Sequence, residues 1–316
     1  MTTLAIIIVS WNTRKLLGRC LETVQASLSH TNITPTIIVV DNASTDGTPA
    51  MLRTEHPKVC LIESGRNLGF AGGNNLALRR VLSGQQTPDY VLLLNPDTEV
   101  LADALPQLVQ YLEAHPDVAV VGPQLRYPDG SIQSSRRRFP QRMTFFMEST
   151  PLEQYWPNNP WVRHYRCDDT PHTDQQHVDW LVGAALLVRR SAILQAGILD
   201  DRFLMYSEEL EWQQRMRRAQ AGYIAYMPTA VIVHHEGKSS EQAIARRYIN
   251  FQQSRLRHAR MMYGQRFATM LRLFLQVAYG GELLVEASKW LLGHKRSLRA
   301  QRVEVYWQVI RALGST

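Results

Sequence analysis

Polar side chains recur at the ends of short apolar runs in this 316-residue chain. Ser10-Trp11-Asn12 closes the first run, Asp41-Asn42-Ala43-Ser44-Thr45-Asp46-Gly47 the second, and Asn95-Pro96-Asp97-Thr98 a later one. Further along, Ser207-Glu208-Glu209-Leu210-Glu211 concentrates carboxylates, and His234-His235 sets two imidazoles side by side. Groups of these types hydrogen-bond polar ligands, hold cations and move protons. Each also has a plainer alternative. Asp after a strand is commonly a turn former or helix cap, acids in the first turn of a helix complement its dipole, and paired histidines at a strand end can cap a helix or lie in solvent. A site is favoured because Asp and Asn recur at one kind of position. In an open α/β sheet, ligands bind beyond the carboxyl ends of the strands.

That position exists only if the apolar runs are strands. Residues 4–10, 36–41, 59–64 and 90–95 are rich in Ile, Val and Leu, the pattern of strands buried on both faces of a parallel sheet. Residues 15–29, 48–55 and 72–82 read as helices, and Ser44-Thr45-Asp46 before Thr48-Pro49 marks a helix start. Strand–helix alternation with short connections is the signature of βαβ units, hence an α/β fold. The alternation fades after residues 118–122. Residues 133–142 and 151–179 read as irregular structure, 180–189 as a strand, 208–221 as a helix ending at Gly222, and 223–235 as one or two strands. From Ser239 the pattern is helical. The expected division is a body of residues 1–238 and a basic, partly apolar helical region of residues 239–316.

Charge sharpens that division. The net +7 is unevenly placed: residues 238–316 hold 14 Lys and Arg against 4 Asp and Glu, the rest 21 against 24. A basic tail behind a nearly neutral body predicts an anionic partner for the tail. Residues 267–292 are largely apolar but interrupted by Arg272, Glu282, Glu286 and Lys289, so the uninterrupted span of about 20 apolar residues that crosses a bilayer is missing. With basic flanks and Trp290, these helices suit the surface of an anionic membrane; they suit a dimerising or core-capping role equally well. Cys20, Cys60 and Cys167 form no disulfide framework and no metal-type pair, which predicts a reducing compartment. The chain enters its first apolar run at once, without a basic segment before it, and so reads as a strand rather than a signal peptide. Arg136-Arg137-Arg138 fits either an acceptor phosphate or a solvated run.

The ordered strings IIIVSWN (6–12), VVDNASTDGT (39–48), RNLGFAGGNN (66–75) and LLLNPDTEV (92–100) resemble the family 2 glycosyltransferases. The likeness continues through WLVGAALLVRR (180–190), DDRFLMYSEELEW (200–212) and the HH at 234–235, and is greatest to the bacterial rhamnosyltransferase-like branch. It covers roughly residues 4–240, in order. The resemblance implies a GT-A nucleotide-sugar fold with a mostly parallel central sheet, a divalent metal, and inversion at the anomeric carbon. It implies that Asp41 meets a uracil or thymine edge, with Ser10 and Asn12 lining the same pocket. Arg66, Asn67, Gly69, Gly73 and Asn74 would form a loop beside the nucleotide, and Gly183 would pass under the donor sugar. Asn95 and Asp97 stand at an acidic motif whose first carboxylate is here Asn95, leaving Asp97 and His234 as the implied metal ligands. Oxygen-rich coordination favours Mg2+ or Mn2+ over zinc. Glu209 stands where relatives usually carry an Asp base, and Glu208 is the second candidate.

The same resemblance implies a dTDP- or UDP-linked sugar donor, rhamnose as the first expectation, and a lipid-linked saccharide acceptor. It tips the tail toward peripheral contact with the inner face of a membrane from the cytoplasm, with a homodimer as the other expected partner. Two rival classes fare worse. A nucleotidyltransferase would carry a Gly-rich, Lys-containing loop after the first strand, where this chain has Ser10-Trp11-Asn12-Thr13-Arg14. A nucleic-acid-binding scaffold would leave the rim acids unexplained and shows no reading module, so no nucleic acid partner is expected.

Overall fold

The protein is seen in a computed structural model that describes residues 1–84, 87–236 and 244–315. The expected boundary at 238/239 lies outside the described residues. Two compact units are present. One comprises Met1–Phe139, Thr170–Leu204 and residues 208–236; the other comprises Pro140–Asp169, Met205–Ser207 and residues 244–315.

In chain order the first unit opens with β1 (Thr2–Ser10), α1 (Arg14–Leu28), β2 (Ile33–Asp41), α2 (Thr48–Glu55), β3 (Cys60–Glu63) and α3 (Gly69–Ser83). It continues through β4 (Tyr90–Leu94), β5 (Thr98–Val100), α4 (Ala104–Ala114), β6 (Val118–Arg126), β7 (Ile132–Gln133) and β8 (Arg136–Arg137). The second unit then supplies three short helices, α5 (Thr144–Met147), α6 (Pro151–Tyr155) and α7 (Pro160–Tyr165). The first unit resumes with β9 (Gln176–Val178), β10 (Trp180–Leu181), β11 (Ala185–Arg189), α8 (Arg190–Ala196), α9 (Glu208–Arg218) and β12 (Tyr223–His234). The second unit closes with α10 (Ile244–Leu291) and α11 (Arg296–Gly314).

The central sheet runs β3-β2-β1-β4-β11-β6-β12-β5. Along this path β11 and β5 oppose the other strands, so the sheet is mostly parallel. The apolar runs are strands because both faces are covered. Leu4, Ile6 and Ile8 of β1 pack with Leu17 and Leu21 of α1 on one face. Ala5 and Ile7 pack with Ala77 and Leu78 of α3 and with Trp212 of α9 on the other, following the period-2 alternation of a strand.

The expected single strand over residues 180–189 is instead two. β10 pairs with β8 in a separate two-stranded sheet, and β11 enters the central sheet. The chain turns between them because Leu181 and Val182 are bonded away from the sheet: Gln213 clamps Leu181, and Val182 N–H donates to Ser135 O at 3.0 Å. The irregular stretch contains buried structure. Arg136, only 1% exposed, donates to Thr170 O, Pro171 O and His172 Nδ1, which rules out the solvated-run reading for that residue.

The second unit has its own core, built from Phe145, Leu256, Phe267, Leu271, Leu275, Val309 and Leu313. Phe145 and Phe267 meet edge to face at 5.9 Å. α10 breaks at Gly264 (φ 84°, ψ 175°), and Glu286, 3% exposed, ties it to α11 through Arg299 at 2.6 Å. Other apolar side chains of these helices stay exposed, among them Leu284, Trp290, Leu291 and Leu292. Among the described residues no helix is long and apolar enough to cross a membrane.

Candidate active site

The strand ends assemble one rim. Ser10 pairs with Asp41 across β1 and β2, and Ile8 with Leu94 across β1 and β4, so Ser10, Asp41 and Asn95 leave the same edge. Because β11 is antiparallel to β4, its amino end lies there too, with Ala185 opposite Leu94. β12 brings its last residue, His234, opposite Thr98. Neighbouring strands are about 4.8 Å apart, so a ligand a few strands wide would span these positions.

Asp97 and His234 meet although 137 residues of sequence number separate them: His234 Nε2 lies 3.4 Å from Asp97 Oδ1 and 3.3 Å from Asn95 Nδ2. Both Asp97 and His234 are 5% exposed. The neighbouring His235 is drawn off to Glu99, Nε2 to Oε1 at 2.8 Å. The structure thus separates two histidines that are adjacent in sequence.

The carboxylates of α9 are sorted in the same way. Glu211 is held by Arg215 (Nη2 to Oε2, 2.9 Å), whose guanidinium also bonds Ile198 O, an ordinary helix and loop brace. Glu209 turns instead toward the β10–β11 turn, where Gly183 N–H donates to its Oε1 at 3.4 Å. Glu208 is 4% exposed, and the Oε2 atoms of both Glu208 and Glu209 are buried without a hydrogen-bond partner among the described residues. Burial pushes Glu208 well above the usual carboxylate range, and repulsion from Glu209 adds to that; burial also raises Glu209. The adjoining turn joins this pair to the rim, since Asn95 N–H donates to Ala184 O at 2.9 Å.

On the β2 side, Asp41 is 2% exposed; its Oδ2 accepts from Ser44 N–H at 3.0 Å, while its Oδ1 is buried without a partner among the described residues. Other predicted nucleotide-side residues are engaged within the chain. Ser10 Oγ bonds Thr13 Oγ1, Asn12 Oδ1 accepts from Thr45 N–H, and Asn74 Nδ2 donates to Phe70 O. Asn67 Oδ1 accepts from Gly69 N–H, and both Arg66 and Asn67 are exposed. Gly69 (φ 71°) has no room for a side chain, because a Cβ there would lie 2.2 Å from Leu204 O. At Gly73 the obstacle would be Val9, at 2.7 Å. Gly183 lies under Glu209, where a Cβ would touch its side chain at 3.5 Å.

Three residues not singled out in the sequence help hold this rim. Asn42 donates from Nδ2 to Gly69 O at 3.0 Å, fixing the start of α3 to the end of β2. Gln213 accepts from Leu181 N–H (2.9 Å) and donates to Leu181 O (2.8 Å), which locks α9 against β10 and so sets Glu209 beside Gly183. Gln133 reaches His234 Nδ1 at 3.0 Å. Amides this far from their partners along the chain leave no periodic signal in a single sequence.

A family profile described as glycosyl transferase family 2 matches residues 5–194. Over 231 residues, 71% of this chain and 74% of the relative, the sequence is 34% identical to an N-acetylglucosaminyl-diphospho-decaprenol L-rhamnosyltransferase of Mycobacterium tuberculosis. Among solved structures it is similar to the mannosyltransferase PcManGT from Pyrobaculum calidifontis in complex with GDP-Man and Mn2+, with 16% identity, a TM-score of 0.53, and coverage of 99% of this chain and 86% of that one. It is similar also to GalNAc-T7 with UDP, GalNAc and Mn2+, with 14% identity, a TM-score of 0.51, and coverage of 74% of this chain but only 44% of that longer one. At these identities the structural likeness is one of fold.

Proposed function

We propose, for a chain that belongs to glycosyl transferase family 2 and is therefore a glycosyltransferase with a GT-A fold, that the sugar moved is rhamnose and the acceptor a lipid-linked saccharide. The support is the mycobacterial relative, whose name gives both. The donor in this reading is a dTDP- or UDP-linked sugar. A thymine or uracil ring offers an N–H donor, and Asp41 Oδ1 is a buried acceptor without a partner among the described residues.

The residues at the rim fit a divalent metal. Asp97 Oδ1 and His234 Nε2 are 3.4 Å apart, and among the described residues no group of three or more His, Cys, Asp or Glu side chains gathers. Asp97 and His234 would hold the ion, and a carboxylate with an imidazole suits Mn2+ or, more weakly, Mg2+. When bound there, the cation would offset the negative charge that develops on the departing diphosphate.

In the transfer, the acceptor hydroxyl oxygen bonds to the anomeric carbon as the bond from that carbon to the diphosphate oxygen breaks. The hydroxyl proton passes to Glu209, and attack from the face opposite the leaving group inverts the anomeric centre. The observation that carries this reading is the meeting of Asn95, Asp97 and His234 at the same sheet edge that receives the β10–β11 turn, where Gly183 N–H meets Glu209. A thermal-shift panel of sugar nucleotides, with and without Mn2+, tests it. Stabilisation by a thymidine or uridine diphosphate sugar only with metal is expected, and Asp97→Ala should abolish the metal dependence; an equal response to NAD or ATP would overturn the assignment. For the helices α10 and α11, exposed Leu284, Trp290, Leu291 and Leu292 with Lys289, Lys295 and Arg296 among them support contact with the anionic inner face of a membrane from the cytoplasm.

A further inference from the structure

We propose that Gln133, itself oriented by Glu236, is a positioning residue that fixes the neutral ring of His234 as the tautomer protonated on Nδ1. This rests on the reading of Asp97 and His234 as metal ligands. The order of bonds allows a single assignment. Glu236 Oε2 lies 2.8 Å from Gln133 Nε2 and 2.9 Å from the Tyr127 hydroxyl, which donates to it. Glu236 Oε2 already accepts from Tyr127, and an amide carbonyl turned toward it would set acceptor against acceptor, so the Gln133 amide turns its NH2 group toward Glu236. Its carbonyl oxygen then faces His234 Nδ1 at 3.0 Å. An amide oxygen only accepts, so Nδ1 carries the proton and the lone pair of the neutral ring stands on Nε2. That is the nitrogen 3.4 Å from Asp97 Oδ1, and the Asn95 amide N–H at 3.3 Å finds an acceptor there.

The turn from Tyr127 to Ser131 folds β7 back on β6, with Gln133 opposite Leu125, and β6 lies parallel to β12, with Arg126 opposite Val233. Gln133 is 7% exposed and His234 5%, so water does not compete freely for Nδ1. Ring nitrogens that donate to a fixed acceptor on one side present a defined lone pair on the other, and disturbing such a partner lowers metal affinity.

Two readouts test the proposal on the full chain. The first is a two-bond proton–nitrogen correlation spectrum of the metal-free protein, labelled at histidine and assigned with His234→Asn, at a pH where the ring is neutral. The second is the affinity for Mn2+ in the presence of thymidine diphosphate, read from the EPR signal of free Mn2+. Wild type should show Nδ1 protonated and Nε2 bare. Gln133→Leu should lose that preference and bind Mn2+ about 10–100-fold more weakly. Glu236→Leu should act in the same direction, while Glu236→Gln, whose carbonyl still accepts from Gln133, should restore both readouts. Glu236 is exposed, so its variants keep the test alive if Gln133→Leu fails to fold. An unchanged tautomer and Mn2+ affinity in Gln133→Leu, or in Glu236→Leu if the first variant does not fold, would overturn the proposal. A wild-type protein that shows the tautomer but takes up no Mn2+ would overturn the metal reading and leave the positioning role standing.

Discussion

Glu208 and Glu209 are adjacent carboxylates withdrawn from water, and the free energy of ionising them is raised by that withdrawal. Two consequences can be measured. A base must be deprotonated to accept the acceptor's proton, so the acid limb of kcat/KM should lie above the ordinary carboxylate range, with activity falling as pH drops through the raised value. Glu209→Gln should cost about 10²–10⁴-fold in kcat while leaving the binding of thymidine diphosphate with Mn2+ unchanged by calorimetry; a variant that keeps its turnover would move the base to Glu208. The second consequence concerns stability. In the unfolded chain a glutamate ionises near pH 4.3, roughly its reference value, whereas folded Glu208 keeps its proton to a well higher pH. Between those two values the folded state binds more protons than the unfolded one, so stability falls as pH rises. Glu208→Gln cannot ionise and escapes that fall. Its melting temperature relative to the parent should therefore climb between pH 4.5 and pH 8, by about 2–4 °C for each kcal/mol relieved.

At the scale of elements, the rim depends on connections that bring backbone into close contact. The start of α3 is one: Phe70 N–H donates to Leu204 O at 3.1 Å, and Gly69 admits that approach because it has no Cβ. Gly69→Ala adds both a clash with a carbonyl oxygen and a left-handed φ of 71° that alanine resists. A loss of about 2 kcal/mol or more is expected, toward the upper end of single substitutions, visible as an earlier urea midpoint at unchanged slope. The β10–β11 turn is the other such connection. The sequence of residues 180–189 has the apolar character of one strand, and local propensity alone predicts one. Gln213, pairing with both backbone groups of Leu181, diverts the first two residues into a different sheet and leaves Gly183 to face Glu209.

For the whole molecule, the uneven charge matters more than its sum. The helices of the second unit bury Phe267, Leu271 and Leu275 in their own core yet leave Leu291, at 70% exposure, and Leu292, at 85%, beside Lys289 and Lys295. Apolar groups with cations among them bind anionic lipid through both area and charge, and the charge component is screened by salt. Co-sedimentation with vesicles rich in phosphatidylglycerol, weak with phosphatidylcholine and declining from low to high salt, is expected. Replacing both Leu291 and Leu292 by Glu should abolish it without shifting the melting temperature, because neither side chain is packed. Retention of the variant on vesicles would relocate the contact.

In the first unit the alternation from β1 through β4, and the later α9 and β12, were legible in the chain alone, whereas β5, α4, α8 and the division of residues 180–189 into two strands were not. Runs such as IIIV and VLLL read as strands buried on both faces, and the ordered strings over roughly residues 4–240 carry the family resemblance. Which side chains do what was not legible to the same depth. Residue type alone separates neither His234 from His235 nor the three glutamates at the start of one helix; the preference for His234 and Glu209 comes from the family resemblance. The choice is made by partners more than twenty residues away: Gln133 and Asp97 for His234, Glu99 for His235, Gly183 for Glu209. Glu211, by contrast, is held by the side chain of a near neighbour, Arg215. Local sequence sets backbone propensity, but the direction of a side chain and the dielectric around it are set by whatever packs against it, and that is decided when distant segments meet.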